Sequence, residues 1–69
     1  LALRKPAEHH MALAQSYNAR QAYLPAIEQA EIAKRYARDN YYLLAEIDAK
    51  QREYKRKADA EREFAKFGN

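Results

Sequence analysis

From Ala26 to Phe67 the chain contains no proline and no glycine, and it has almost nothing that favours a strand. Val, Thr, Trp and Cys are absent, and Ile27, Ile32 and Ile47 are the only β-branched residues. Fifteen Ala, with Leu, Gln, Glu, Lys and Arg, fill most other positions, and these are the strong helix formers. The sequence therefore predicts an all-α fold.

Pro6 suits the first turn of a helix, where a missing N–H costs no hydrogen bond, so a first helix is expected over about 6–23. At 100° per residue His10, Leu13, Ala14, Tyr17 and Leu24 share one side of it, with Leu13 and Tyr17 the core candidates. Pro25 disfavours helical geometry at Leu24, which places a turn or kink at Tyr23-Leu24. A long helix is expected over about 26–67, with Lys66 in its last turn and Gly68 as its stop. Asp39-Asn40 is the one possible break. Periodicity favours continuity there, because Ala33, Tyr36, Ala37, Leu43, Leu44, Ile47, Tyr54, Ala58 and Ala65 stay in one stripe when wound as a single helix. Such a helix would be roughly 60 Å long. Residues 1–69 thus read as a single helical element, extended or folded as a hairpin, and not as a self-sufficient globule.

Size points the same way, since a domain this small buries only about 60% of the surface its unfolded chain exposes. Without cysteine there is neither a disulfide nor a thiolate metal site to compensate, which leaves docking or oligomerisation. The longest apolar run, Tyr41 to Ala45, is far short of the roughly 20 residues that span a bilayer. The start, Leu1-Ala2-Leu3-Arg4-Lys5-Pro6, lacks the layout of a secretory signal, and a processed, organelle-imported precursor is one expectation from it. A net charge of +3 is a modest basic bias.

The stretch from Asp48 to Glu63 offers little to bury besides Ala49, Tyr54, Ala58 and Ala60. Glu31 and Arg35, Glu46 and Lys50, Asp48 and Arg52, and Glu53 and Lys57 stand at i,i+4 in the favourable order, each pair worth ~0.2–0.5 kcal/mol. Leu43, Leu44 and Ile47 secure the near end of this stretch, Lys50 and Gln51 interrupt the stripe, and Phe64 and Phe67 can pin the far end. The segment reads as a strut between two contacts.

Catalytic chemistry finds no footing. His9-His10 with Glu8 cannot converge on a metal, because adjacent helical residues point about 100° apart. Glu28 with Glu31, and Glu61 with Glu63, lack the Glu-x-x-His spacing of carboxylate-bridged metal bundles. One Ser, no Cys and no Gly-rich loop leave no activated nucleophile and no phosphate cradle. No enzyme, cofactor or metal is therefore expected. Lys34, Arg38, Arg52 and Arg56 would share the face opposite the stripe on one continuous helix, where they could meet RNA phosphates or acidic lipid headgroups. Six Tyr are too many phenols for one small core, and tyrosine suits protein interfaces.

The spacing of Leu13-Ala14, Tyr17, Ala26-Ile27, Ala30 and Ala33 resembles one tetratricopeptide repeat, which implies a helix pair with small residues at its packing points. Tyr23, Ala26, Ala33 and Tyr36, followed by Ile47-Asp48-Ala49-Lys50 and Glu53-Tyr54, are similar to microtubule-interacting-and-transport three-helix domains. The leading expectation is a non-catalytic accessory subunit that bridges neighbouring proteins in a large assembly, such as a mitochondrial respiratory-chain or ATP-synthase complex. Its interface would use Leu13, Tyr17, Tyr36, Leu43, Leu44, Ile47, Tyr54, Phe64 and Phe67. A ribosomal or RNA-contacting protein and a small helical interaction module are the alternatives.

Overall fold

The computed structural model describes residues 5–67, with side chains through Ala65. The N-terminal Leu1 to Arg4, the Phe67 side chain and the Gly68 stop lie outside the described residues. Three helices follow in order, α1 (Pro6–Ala19), α2 (Tyr23–Tyr36) and α3 (Tyr41–Phe67), and no strand occurs among the described residues.

The first break falls before Pro25 and not at Tyr23-Leu24. Pro25 sits in the first turn of α2, where its missing N–H has no intrahelical partner to lose, so the proline opens a helix instead of kinking one. The chain turns at Arg20-Gln21-Ala22. The Ala22 amide donates to the Tyr17 carbonyl at 2.9 Å and the Gln21 amide to Asn18 at 2.9 Å, which closes α1 in a Schellman motif. That motif needs a left-handed residue, and Gln21 supplies it at φ 63° without being glycine. Gln21→Gly is therefore expected to stabilise the fold by about 1 kcal/mol, raising the thermal midpoint by roughly 4–8 °C. Thermal circular dichroism reads this directly, and a midpoint that stays or falls would show that Gln21 is not strained.

The second break overturns the continuous helix expected over 26–67. The Ala37 and Asn40 amides donate to Lys34 and Ala37 carbonyls at 3.1 and 3.0 Å, and the Asn40 side-chain oxygen then accepts the Leu43 amide at 3.0 Å. Asn40 is thus the N-cap of α3. Helical periodicity across the break is preserved, but folding back lets the α2 and α3 faces bury each other, which a straight helix could not do.

Each helix contributes one face at i, i+4, i+7 spacing: Ala7, Met11 and Ala14 from α1; Ala26, Ala30 and Ala33, continued by Ala37, from α2; Ile47, Gln51 and Tyr54 from α3. Ala14, Ala26, Ala30 and Ala33 are completely buried, so α2 is a seam of small side chains on which its neighbours close. On α1 the core face is the Ala7-Met11-Ala14 line, and it displaces the expected Leu13 and Tyr17. Leu13 is exposed and Tyr17 half-buried.

His10 meets Gln29 and Tyr36 across α1 and α2, whereas Lys34 meets Asp48 and Gln51 meets Ile27 across α2 and α3. Both neighbours therefore run antiparallel to α2, and α1 and α3 run parallel, joined near their ends by Lys57 Nζ donating to Asn18 Oδ1 at 3.4 Å. This packed three-helix body replaces the extended or hairpin form that was expected. At 1.5 Å per residue α3, with 27 residues, is about 40 Å long, against about 21 Å for α1 and α2 with 14 each. The radius of gyration, 13.5 Å, accordingly exceeds the roughly 11 Å of a round domain of this length. The far end of α3 projects beyond the bundle.

Candidate protein-binding groove

A polar pin sets the register of α2 against α3. Gln51, an interruption of the apolar stripe in sequence, is 2% exposed and fully used. Its amide donates to the Ile27 carbonyl at 3.2 Å and to Glu31 at 3.0 Å, and its oxygen accepts Lys34 Nζ at 2.8 Å. Lys34 also reaches Asp48 at 3.3 Å, which Arg52 pairs from the next turn at 2.9 Å. The hydrogen bond from Gln51 holds the Glu31 carboxyl below its ordinary value, helped by the Lys34 charge. The Lys34 hydrogen bond does the same for Asp48, helped by Arg52.

Two carboxyls depressed in the folded state bind protons more weakly there than in the unfolded chain. Their stabilising contribution is complete above the ordinary carboxylate values of 4.5 and 3.8 and is lost as acid titrates through the lower folded-state values. Urea midpoints are expected to hold near neutral pH and fall below about pH 4.5. Glu31→Gln combined with Asp48→Asn should flatten that acid limb, and an unchanged limb would put the sensitivity elsewhere.

Beside this pin, α1 and α3 leave an open groove of about 320 Å³. Its apolar lining is Met11 and Ala12 from α1 with Leu43 and Ile47 from α3, and Glu8, Gln15, Glu46 and Lys50 form its polar rim. Met11 and Ile47 are buried towards the core and Leu43 is half-buried, while Ala12 and Glu46 stand exposed at the edges. At the same end Tyr36 stacks on His10 with ring centres 5.7 Å apart, and Tyr41 meets Tyr42 edge-on at 5.6 Å. Tyr36, Tyr41 and Tyr42 are largely exposed, so this end of the molecule presents phenol rings to solvent.

The residues expected at an interface divide into two groups. Ile47 and Tyr54 are 1% exposed and lie in the chain's own core, with Tyr17, Leu43 and Leu44 packed partly against it. Leu13, Tyr36 and Phe64 remain on the surface. Of the expected basic residues, Lys34 turns inward to the pin and meets Arg52 on Asp48, while Arg38 and Arg56 are exposed. Of the expected i,i+4 pairs, Asp48 with Arg52 and Glu53 with Lys57 form, whereas Glu31 engages Lys34 at i,i+3.

Sequence reasoning missed Met11 and Ala12 as groove residues and Gln51 as the pin. The Met11 signal was present, since Ala7, Met11 and Ala14 already have helical spacing. Among the described residues no cluster of His, Asp and Glu could hold a metal ion, and no helix is long and apolar enough to cross a membrane. Neither protein-family models, nor curated proteins, nor solved structures provide a match to this chain.

Proposed function

We propose that the chain is a non-catalytic protein-interaction module that receives one amphipathic helix of a partner protein in the groove between α1 and α3. The observation that carries this reading is the groove itself: a preformed apolar floor of Met11, Leu43 and Ile47 under a mixed-charge rim. A partner helix fits it by placing one or two apolar side chains on the floor. The rim carries Glu8 and Glu46 against Lys50, so the partner should bear a basic residue one turn from its apolar anchor. Met11 contributes an adaptable thioether surface to the same floor. The full burial of Ala14, Ala26, Ala30 and Ala33 supports the module reading, because small residues at these points are what a tetratricopeptide-like helix pair requires.

A blocking substitution tests it. Ala12→Arg fills the groove from an exposed position and should leave the circular dichroism spectrum and melting midpoint unchanged. Co-purification from the native source should recover a partner with the unaltered chain and lose it, by about tenfold or more, with Ala12→Arg. Equal recovery would remove the groove from partner binding.

The accessory-subunit reading is favoured by one separate observation. α3 projects beyond the bundle with Phe64 77% exposed, as a strut would. In that case Phe64→Ser, and not Ala12→Arg, should release the chain from its assembly.

A further inference from the structure

α1 and α3 each pack along α2 and barely touch one another. Across its long axis the Cα trace is 22 Å wide and 13 Å deep. Three helices at ordinary spacing measure about 14 by 12 Å as a closed triangle and roughly 22 Å in width when laid side by side. The helices therefore form a shallow arc with α2 at its middle, and the α1–α3 groove is its concave side. An up-and-down four-helix bundle has four such positions, of which this chain fills three.

We propose that the partner helix enters the groove as the fourth helix of such a bundle, antiparallel to both α1 and α3, with an acidic side chain one turn ahead of a basic one along its α3-facing edge. This direction and charge order rest on the groove being the binding site. α1 and α3 run parallel and set their N-terminal ends side by side, so a helix antiparallel to both brings its negative end to their two positive ends. α2 already lies against them in that sense.

The charges on the rim give the order. Glu46 and Lys50 lie one turn, about 6 Å, apart on the α3 wall. Counting back along both helices from the Lys57–Asn18 hydrogen bond puts Glu8 within about one turn of Glu46, on the opposite wall. Glu46 and Lys50 stand at i,i+4, yet among the described residues neither they nor Glu8 form an ion pair. The groove thus offers two unpaired carboxylates towards the N-terminal ends of its walls and an unpaired ammonium one turn further on. An antiparallel partner meets Lys50 first and Glu46 with Glu8 second, which puts its acid four residues before its base. The same order favours helix in the partner alone, whereas a parallel partner needs the weaker, reversed order.

A synthetic 18-residue amphipathic helix tests this, with Leu at i, i+4 and i+7 and a Glu four residues before a Lys at the edge of that stripe. It should bind the full chain, and Ala12→Arg should weaken binding by about tenfold or more. With a nitroxide at the peptide's C-terminus, the amide NMR signals of Glu8 and Leu43 should be lost while those of Asn18 and Tyr54 persist. Moving the nitroxide to the N-terminus should invert the pattern. Glu46→Lys combined with Lys50→Glu should weaken the peptide by about fivefold or more with the circular dichroism spectrum unchanged, and a peptide with its Glu and Lys exchanged should recover the loss. Binding in the parallel direction, in no preferred direction, or indifferent to the charge exchange overturns the proposal and leaves the groove as the site. A peptide that does not bind, or that Ala12→Arg does not weaken, removes both.

Discussion

Truncating Tyr54 to alanine is expected to leave the chain mostly unfolded at room temperature, whereas removing only its hydroxyl is expected to make it more stable. Among the described residues Tyr54 is the largest fully buried side chain. Cutting a buried aromatic back to alanine costs about 3–5 kcal/mol, and a domain this small rarely has more than about 3–5 kcal/mol to lose. The hydroxyl is a different matter. It is buried and has no hydrogen-bond partner, the costly condition for a polar atom. Burial also pushes the phenol's ionisation above its ordinary value, with the Glu53 carboxylate adding to it.

Tyr54→Phe keeps the ring and discards the unpaired oxygen, so urea denaturation should show a gain of about 1 kcal/mol. The pair of variants gives effects of opposite sign at one position. A loss of stability in Tyr54→Phe would mean that the hydroxyl is hydrogen-bonded after all.

The second large effect is expected at the alanine seam. Ala30 is completely buried in the middle of α2, between neighbours that close on it from both sides. Ala30→Leu leaves the intrinsic preference for helix almost unchanged but adds three carbons where no space exists, so it should cost about 1–3 kcal/mol or more. Ala45→Leu makes the same chemical change at an exposed position of α3 and should fall within about 0.5 kcal/mol of the parent. Circular dichroism melts of the two variants separate packing from propensity. Equal melting points would mean that α2 is not the seam on which the bundle closes.

Much of the architecture was legible without coordinates. The helix-rich, proline- and glycine-poor composition leads to an all-α chain, Pro6 marks the start of α1, and Asp39-Asn40 is the right place for the one internal break of the long segment. The choice between breaking and continuing there was not legible, because the apolar residues of α2 and α3 keep one helical phase across the turn. Phase reports which residues lie on the same side of a helix and carries no information on whether that side is buried by doubling back. Pro25 misled for a related reason. A proline in a first turn and a proline at a kink look alike until the position of the preceding turn is known, and that turn was hidden by Gln21, a residue with no special liking for left-handed geometry.

The candidate groove shows the same division. Leu43 and Ile47 could be picked out as a strong apolar centre, but their partners across the groove, Met11 and Ala12, belong to a helix whose core face was assigned one step around to Leu13 and Tyr17. Large side chains drew that assignment. In the folded chain the alanines decide it, since a close helix crossing admits small residues and leaves Leu13 outside.

The sequence by itself determined that this chain is helical and that Pro6 opens its first helix, because propensity and capping are local properties. Tertiary structure alone decided that Gln51 is a buried pin, that Ile47 and Tyr54 face their own chain, and that a groove remains open between α1 and α3. Those outcomes depend on which helical faces meet, and residues distant in sequence settle that by competing for the same buried surface.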